Sequence, residues 1–265
     1  MTARRERLDV LVAVRHGIES RARAQAIIRA GEVEVDGQVV DKPGHLVAVD
    51  ARIDLRARPP YVSRGGIKLA HALDRFGIDP AGLTCLDVGA STGGFTDVLV
   101  QRGARRVYAI DVGRGQLAWR LRGHPAVVLL ERTNVRSVEH LPEPIDLAVV
   151  DVSFISLRQV LPVVQRLLAP AGQAVALVKP QFEAGKALVG RGGIVRDPAV
   201  HQAVLHAIVA SSVRDGWRVR GATASPITGA DGNREFLIWL GAPGCSEPSV
   251  SWEAVCALVG FNPGD

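Results

Sequence analysis

The spacing of hydrophobic and polar residues changes near residue 60. In residues 6–16 and 20–30, apolar residues recur every three to four positions, which predicts two helices, with Ser20 as the cap of the second. The stretch "EVEVDGQVV" alternates apolar and polar residues around Asp36-Gly37 and predicts a hairpin, and "RIDL" predicts one more strand. Gly31 is placed to end the second helix. The first sixty residues are therefore expected to form a small α+β domain.

Beyond residue 62, continuous apolar runs alternate with segments of helical period. Strands of this kind are buried on both faces, which is typical of a parallel sheet in a doubly wound α/β domain. Two later runs, "WRVRGATASP" and "REFLIWLGA", predict a closing antiparallel pair. Together they predict a mostly parallel, seven-stranded, Rossmann-like sheet with a reversed final pair. The five earlier runs are "CLDVG", "RVYAID", "VVLLE", "IDLAVVD" and "AVALVKP".

Proline residues mark the boundary between the two patterns. In "RARPPY", Pro59 and Pro60 stiffen the chain and favour a domain junction. The predicted organisation is a first domain over 1–58, a linker over 59–62, a second domain over 63–242 and a C-terminal tail over 243–265.

The first domain resembles a known RNA-binding module. The order of "RLD" and "SRARAQAIIRAGEVEVDGQVVDKPG" is similar to the domain shared by ribosomal small-subunit protein four and many pseudouridine synthases. The first thirty residues carry seven arginines against Glu6, Asp9 and Glu19. A solvated helix face would explain any single arginine, but the cluster favours contact with phosphates. The resemblance implies RNA contacts from Arg4, Arg7, Arg21, Arg23 and Arg29.

The stretch "DVGASTGGF" is a glycine-rich turn between a predicted strand and a predicted helix. Such a turn lets a ligand approach the backbone at the carboxyl end of the sheet. Its spacing, Gly89 then Gly93 and Gly94, departs from the G-x-G-x-x-G of dinucleotide enzymes. Asp111 ends the next strand, where it can accept both ribose hydroxyls, and Asp87 can hold an amino group. These features fit S-adenosylmethionine better than NAD, and a tight turn without a ligand is the alternative.

The whole chain resembles one methyltransferase family. "DVGASTGGFTDVL" is similar to the cofactor loop of the FtsJ/RrmJ-type ribose 2′-O-methyltransferases, and with "SRGGIKL", "ERTNVR", "DVSFISL", "LVKPQFEAGK" and "GNREFLIWL" the chain resembles the TlyA family over residues 4–240. This implies methylation of a ribose 2′-hydroxyl, of cytidine, in ribosomal RNA or ribosomal subunits. The S-adenosylmethionine contacts implied are Asp87, Gly89, Ala90, Ser91, Gly93, Gly94, Phe95, Asp111, Asn134 and Asp151.

Lysine is scarce in this chain, which makes the lysine at the end of "AVALVK" notable. Of 32 cationic residues, only Lys42, Lys68, Lys179 and Lys186 are lysine, and lysine, unlike arginine, can lose its proton when it is desolvated. Lys179 ends an apolar run, at the sheet edge where active sites of such folds are built. Lys186 is expected to be a solvated loop residue.

The resemblance implies a catalytic set of two lysines and two carboxylates: Lys68, Asp151, Lys179 and Glu235. Lys179 would take the proton of the hydroxyl or stabilise the oxyanion, with Asp151 orienting it, and the other two would position the ribose. The alternative is structural: a salt bridge across two strand ends, and Glu235 as a charge on an edge strand. Phe154 and Phe182 are expected to lie in the core or a pocket wall in preference to stacking on bases.

Composition limits the remaining possibilities. The formal charge is +5 and the isoelectric point about 9.5, which is compatible with a nucleic-acid partner. Three cysteines without a C-x-x-C pair disfavour disulfides and zinc, so no metal is expected and a cytoplasmic location is favoured. No leader or membrane-length run is apparent.

Three other functions remain open at this stage. The chain could bind RNA through a methyltransferase fold that lacks catalysis, and cofactor binding would distinguish this case. It could be haemolytic, an activity attached to the family's name, although no amphipathic or membrane-length segment supports it. It could methylate a small molecule, which would leave the first domain unexplained.

Overall fold

The computed structural model describes residues 4–56, 59–229 and 231–261, and the chain divides between Pro59 and Pro60 into two compact units. The first unit packs two helices on short strands. Its core is formed by apolar residues of both helices and three strands, among them Leu8, Val12, Ile28 and Val33, all fully buried. The elements of this unit are β1 (Arg5–Arg7), α1 (Leu8–Arg15), α2 (Arg21–Arg29), β2 (Val33–Val35), β3 (Gln38–Val39), β4 (Leu46–Ala48) and β5 (Ile53–Leu55).

The predicted turn and cap residues of the first unit are confirmed. The Ser20 hydroxyl accepts a hydrogen bond from the backbone N–H of Arg23 at 3.2 Å and caps α2. Gly31 adopts φ +69° just beyond the helix end. Asp36 and Gly37 both have positive φ, as the two central residues of a type I′ hairpin turn require, and they join β2 to β3.

The start of the first helix differs from the prediction. The helix predicted over 6–16 begins at Leu8, because the residues before it form β1, which pairs antiparallel with β4. Neither short strand carries a periodic signal of its own, since a three-residue strand is too short to show alternation. Only the pairing of distant segments reveals them.

The second unit is built on a seven-stranded sheet in the described part of the chain, ordered β11-β12-β10-β9-β6-β7-β8. Its strands are β6 (Thr84–Val88), β7 (Arg106–Ile110), β8 (Val127–Leu130), β9 (Ile145–Val150), β10 (Leu168–Val178), β11 (Arg218–Ala224) and β12 (Phe236–Gly241). Its helices are α3 (Gly65–Phe76), α4 (Gly94–Gln101), α5 (Trp119–Arg122), α6 (Leu157–Leu167), α7 (Pro180–Glu183), α8 (Pro198–Arg214) and α9 (Trp252–Val259).

The prediction of a mostly parallel sheet is confirmed, with one correction to its last pair. The strands β10, β9, β6, β7 and β8 are mutually parallel. The last strand, β12, pairs antiparallel with both β10 and β11, so it alone runs against the sheet and β11 does not. β12 lies between β10 and β11 and is hydrogen-bonded to both. The hairpin pattern in the sequence does not specify which of its two strands takes this inner position.

Alternate residues of the central strands face two separate cores. Leu86, Val88 and Ala176 pack with α6, α8 and α9 on one face of the sheet. Cys85 and Val175 pack with α3 and α4 on the other face. This arrangement is the expected consequence of continuous apolar strands covered by helices on both sides.

The second unit extends beyond both ends of the predicted methyltransferase domain, residues 63–242. Tyr61, predicted as linker, packs against the core with α3 and α4, and the Val62 N–H donates to the Asp97 carboxylate at 2.8 Å. In the predicted tail, α9 buries Val255 and Cys256 completely in the other core. Among the described residues, no helix is both long and apolar enough to cross a bilayer.

Candidate active site

The glycine-rich turn brings two strand ends together at the carboxyl edge of the sheet. Gly89 follows β6 with φ +84°, and a Cβ atom at this position would overlap the carbonyl oxygen of Asp151, which follows β9. Any other residue would push the two backbones apart, so Gly89 is required for their close approach. Its N–H and that of Ala90 both donate to the Ile110 carbonyl, at 2.9 and 3.1 Å.

The other two glycines of the turn fit the start of α4 into its surroundings. Gly93 has φ +96°, and a Cβ there would collide with Leu121 and Leu117. Gly94 opens α4, and a Cβ at that position would overlap the Ser63 hydroxyl. The turn is therefore packed from both sides, and the predicted glycines have a steric reason.

A cavity of about 500 Å³ lies beside this turn. Asp111 lines it, and each of its carboxylate oxygens accepts one backbone N–H, from Ser91 at 2.7 Å and from Gly113 at 2.6 Å. A carboxylate offers about four lone-pair sites, so both oxygens retain capacity for two further hydroxyl donors. Other residues that line the cavity are Gly89, Gln116, Thr133, Asn134, Asp151 and Phe154.

Asp87 lies behind the turn and does not line this cavity. Its carboxyl is completely buried; Oδ2 accepts the Thr96 hydroxyl at 2.6 Å, and Oδ1 has no hydrogen-bond partner among the described residues. Burial raises the pKa of Asp87 to about 7, and the charges of Asp151 and Asp111 add to this effect. Any interaction of Asp87 with a ligand would therefore act through the field of the charge, without direct contact.

A smaller cavity of about 140 Å³ shares Gly89, Ser91 and Asp151 with the first. Lys68, from the first turn of α3, also lines it, and its ammonium forms an ion pair with Glu235. Both side chains are almost fully buried, with 10% and 2% of their surface exposed. An edge-strand role for Glu235 is therefore wrong, because the residue is buried and β12 has neighbours on both sides.

Lys179 and Asp151 form the second ion pair, across the ends of the adjacent strands β10 and β9. The Lys179 Nζ lies 2.5 Å from Asp151 Oδ1 and donates to the Ser153 hydroxyl at 3.0 Å. An ammonium has three N–H donors, and the bond to Ser153 uses one, so donor capacity remains for another oxygen. Because Asp151 lines both cavities, this pair stands where they meet.

Phe182 lies next to Lys179, with its ring centroid 5.9 Å from Nζ, and Phe154 packs against Phe182. Phe154 is 91% exposed and adopts φ +64°, and its ring centroid is 4.9 Å from that of Phe182. Of the two positions expected for Phe154, the core is therefore wrong, and the wall of a pocket is confirmed. Glu183 anchors the start of α6, because its carboxylate accepts hydrogen bonds from the Ser156 hydroxyl at 2.6 Å and the Leu157 N–H at 2.7 Å. Burial raises the pKa of Glu183.

In the first unit, the predicted RNA-binding arginines do not share one helix face. Arg21 and Arg29 are eight residues apart and lie on the same side of α2, but Arg23 lies about 200° around the axis from Arg21. Arg21 and Arg7 both contact the buried carboxylate of Asp9, and Arg4 is exposed. Arg23 therefore faces away from Arg21 on α2, and the RNA contacts of all five arginines stay predictions.

Comparison with known proteins agrees with this geometry. Residues 61–242 match the FtsJ-like methyltransferase family, and residues 6–53 match the S4 domain. The protein named 16S/23S rRNA (cytidine-2′-O)-methyltransferase TlyA from Mycobacterium tuberculosis is 46% identical over 90% of this chain and 90% of its own length. The chain belongs to the TlyA family of FtsJ-like methyltransferases.

Other relatives of this TlyA-family chain carry a different name. Hemolysin A from Brachyspira hyodysenteriae is 41% identical over 87% of this chain and 98% of its own length. A solved structure from Streptococcus thermophilus, also named as a hemolysin, is 41% identical, with a TM-score of 0.72, and covers 96% of this chain and 95% of its own. The names of the relatives thus point to two activities on one shared fold.

The structure brings together most of the site residues predicted from the TlyA resemblance. Gly89, Ala90, Ser91, Gly94 and Phe95 lie at one or both cavities, as do Lys68, Asp111, Asn134 and Asp151. Lys179 and Glu235 reach the same place through their ion pairs, whereas Asp87 and Gly93 support the turn from behind. Their individual roles stay predictions.

Sequence reasoning missed several residues that complete the TlyA-family site. Gln116 and Thr133 line the large cavity from loops that follow β7 and β8, and Ser153 holds Lys179. These loops carry no periodic pattern, and only their position after strand ends could have indicated them. Among the described residues, no group of three histidine, cysteine, aspartate or glutamate side chains is placed to hold a metal ion.

Proposed function

We propose that this chain transfers a methyl group from S-adenosylmethionine to the 2′-hydroxyl of a cytidine in ribosomal RNA. The observation that carries the proposal is the pair of lysine–carboxylate contacts, Lys68–Glu235 and Lys179–Asp151, at a small cavity that adjoins the glycine-rich turn. The names of the TlyA relatives supply the nucleotide and the RNA class. The S4 domain and the basic charge support an RNA substrate.

The large cavity fits S-adenosylmethionine. Its volume of about 500 Å³ lies within the usual range for sites that hold a ligand of this size. Asp111 would accept the ribose hydroxyls with its remaining lone pairs, and the backbone beside Gly89 leaves room for close approach. When bound, S-adenosylmethionine supplies a methyl group on a sulfonium, which is a good leaving group.

Lys179 would act on the oxygen that receives the methyl group. Its ammonium forms an ion pair with Asp151 and donates one hydrogen bond to Ser153, and a further N–H can donate to the substrate hydroxyl. A cation beside this oxygen stabilises the negative charge that develops as the proton leaves. Asp151 lines the small cavity and can accept that proton. Lys68, which lines the same cavity, and its partner Glu235 orient the ribose. Oxygen gains a bond to carbon as the bond from carbon to sulfur breaks.

Transfer of label from methyl-labelled S-adenosylmethionine to ribosomal subunits and to free ribosomal RNA tests the proposal. Label should appear in an alkali-resistant, 2′-O-methylated nucleotide. Lys179→Ala should lower the rate by on the order of 10²- to 10⁴-fold, with cofactor affinity within about twofold in calorimetry, since Lys179 contacts the other substrate. Lys186→Ala is the matched control, because this variant removes the same charge from an exposed position. Equal rates for the wild type and Lys179→Ala would refute the assigned role.

The same experiment separates the competing functions. Tight cofactor binding with no label in any RNA would favour a non-catalytic RNA-binding protein. Turnover of a small acceptor without RNA would favour a small-molecule methyltransferase. Lysis of erythrocytes at equal strength by wild type and Lys179→Ala would show that the name hemolysin describes a property unrelated to this site.

A further inference from the structure

One buried carboxylate in the first unit joins residues from three elements. Asp9, in the first turn of α1, is fully buried. It accepts two hydrogen bonds from Arg7 of β1, each at 3.0 Å, and two from Arg21 at the start of α2, at 3.0 and 3.4 Å. Gln25, one turn further along α2, donates to it at 2.7 Å.

The two arginines remain accessible although their partner is buried. Arg7 has 43% and Arg21 has 52% of its side-chain surface exposed. Each guanidinium has five N–H donors and directs Nε and one Nη2 hydrogen to Asp9, so three donors on each are available to a ligand. Arg29 continues the row, because its guanidinium donates to the side-chain oxygen of Gln25 at 3.4 Å.

The geometry points to Asp9 as the positioning residue of the RNA-binding surface. We propose that its carboxylate fixes the orientation and spacing of Arg7 and Arg21, so that their free edges bind two phosphates of the RNA backbone. This inference rests on the proposed RNA substrate. A guanidinium that is held in place loses less conformational entropy when it binds a phosphate bidentately, and arginine is suited to such contacts.

Folding stability does not in general require an ion pair at a buried position such as this one. A buried ion pair can often be replaced by apolar residues of similar volume without loss of stability, so its presence is weak evidence for a stabilising role. The hydrogen bonds from Arg7, with further ones from Gln25 and Arg21, hold the pKa of Asp9 well below its usual range, so the carboxylate is charged at neutral pH. Asp9 therefore presents a fixed acceptor to both guanidinium groups.

The sign of the effect on RNA binding tests the proposal. Asp9→Asn and the control Asp50→Asn each remove one negative charge, and Asp50 is exposed and makes no side-chain hydrogen bond or ion pair within the described residues. General electrostatics predicts that both variants of the full chain bind RNA as tightly as the wild type or more tightly. If Asp9 positions the two arginines, Asp9→Asn should instead weaken RNA binding, with an affinity for transcribed 23S rRNA about tenfold lower in filter binding.

The salt dependence provides a second readout. In a salt series, the slope of log affinity against log salt should become shallower by about two for Asp9→Asn, because both positioned phosphate contacts are lost, and should not change for Asp50→Asn. Equal affinities and equal slopes for the two variants would overturn the proposal. Direct binding is measured, so a failure of methyl transfer would not be mistaken for a failure of this inference.

A mutant cycle keeps the test valid if Asp9→Asn loosens the unit. Hydrogen exchange over α1 and α2 shows whether both helices persist. If Asp9 acts through Arg21, Asp9→Asn combined with Arg21→Gln should bind more tightly than the product of the two single losses predicts. Losses that multiply fully, with both helices protected from exchange, would contradict the proposal.

Discussion

Asp87→Asn is expected to stabilise the second unit at alkaline pH and to leave its stability nearly unchanged at acid pH. The Asp87 carboxyl is fully buried, and Oδ1 has no hydrogen-bond partner within the described residues. Ionisation therefore places an incompletely compensated charge in the core. Asparagine keeps the shape of the side chain and stays neutral at every pH.

The magnitude follows from the pKa of Asp87, which burial raises from an ordinary value of 3.8 to about 7. A raised acid pKa means that the folded state holds its proton more tightly than the unfolded state does. The contribution to the free energy of unfolding is zero below about pH 4 and falls by about 1.4 kcal/mol per pH unit up to about pH 7. Above that pH, the full destabilisation is about 4 kcal/mol, which is an upper limit for the gain from Asp87→Asn.

Urea unfolding followed by tryptophan fluorescence measures this difference. The four tryptophans, at positions 119, 217, 239 and 252, all lie in the second unit, so the signal reports on that unit. The difference between variant and wild type should grow from about 1 kcal/mol at pH 4.5 to about 4 kcal/mol at pH 8, in protein free of cofactor. Glu139→Gln is the control, because Glu139 is exposed and makes no side-chain hydrogen bond or ion pair among the described residues; the stability of this variant relative to wild type should not show the same rise.

A difference between Asp87→Asn and wild type that stays constant from pH 4.5 to pH 8 would refute the reasoning. It would mean that the folded protein does not hold this proton above the ordinary pKa. Bound S-adenosylmethionine should reduce the difference at pH 8, because its positive charge stabilises the ionised carboxylate behind the turn.

Two other perturbations test the packing of the site. Lys68→Met leaves the buried Glu235 carboxylate without its cation and should lower the free energy of unfolding by about 3–5 kcal/mol. The double variant Lys68→Met with Glu235→Leu should recover most of this loss, because no unpaired charge remains. An equal loss of stability in the single and the double variant would contradict the ion-pair argument. Gly89→Ala should weaken cofactor binding in calorimetry far more than Gly103→Ala, since both have positive φ but only a Cβ at position 89 would overlap the Asp151 carbonyl.

The parts of the site that sequence reasoning predicted depend on short-range signals. Gly89 and Asp111 could be placed because a turn that follows a strand, and an acid at the next strand end, are read from neighbouring residues. Lys179 and Asp151 could be brought to one edge, since they end parallel strands, and in the structure their Nζ and Oδ1 lie 2.5 Å apart. The individual roles of these side chains are still predictions.

The parts that were missed or wrong depend on long-range packing. Phe154 was expected in the core or a pocket wall; it lies in the wall of the large cavity, and no local signal indicated the positive φ that leaves its ring exposed there. Glu235 could be judged a solvated edge charge until the buried partner, 167 residues away, was known. Asp9 counted in the sequence only as one negative charge among arginines, and nothing local indicated that three side chains converge on it.

By itself, the sequence determined the two-part organisation, the periods of the main helices and strands, and the residues that require unusual backbone conformations, because these features follow from the side chains and dihedral angles of adjacent residues. The tertiary structure decided which strand runs against the sheet, which charges are buried and paired, and which arginines share a carboxylate. Burial and pairing are properties of segments far apart in the chain. A charged residue can therefore be located from the sequence, but its environment is set only when distant elements pack against it.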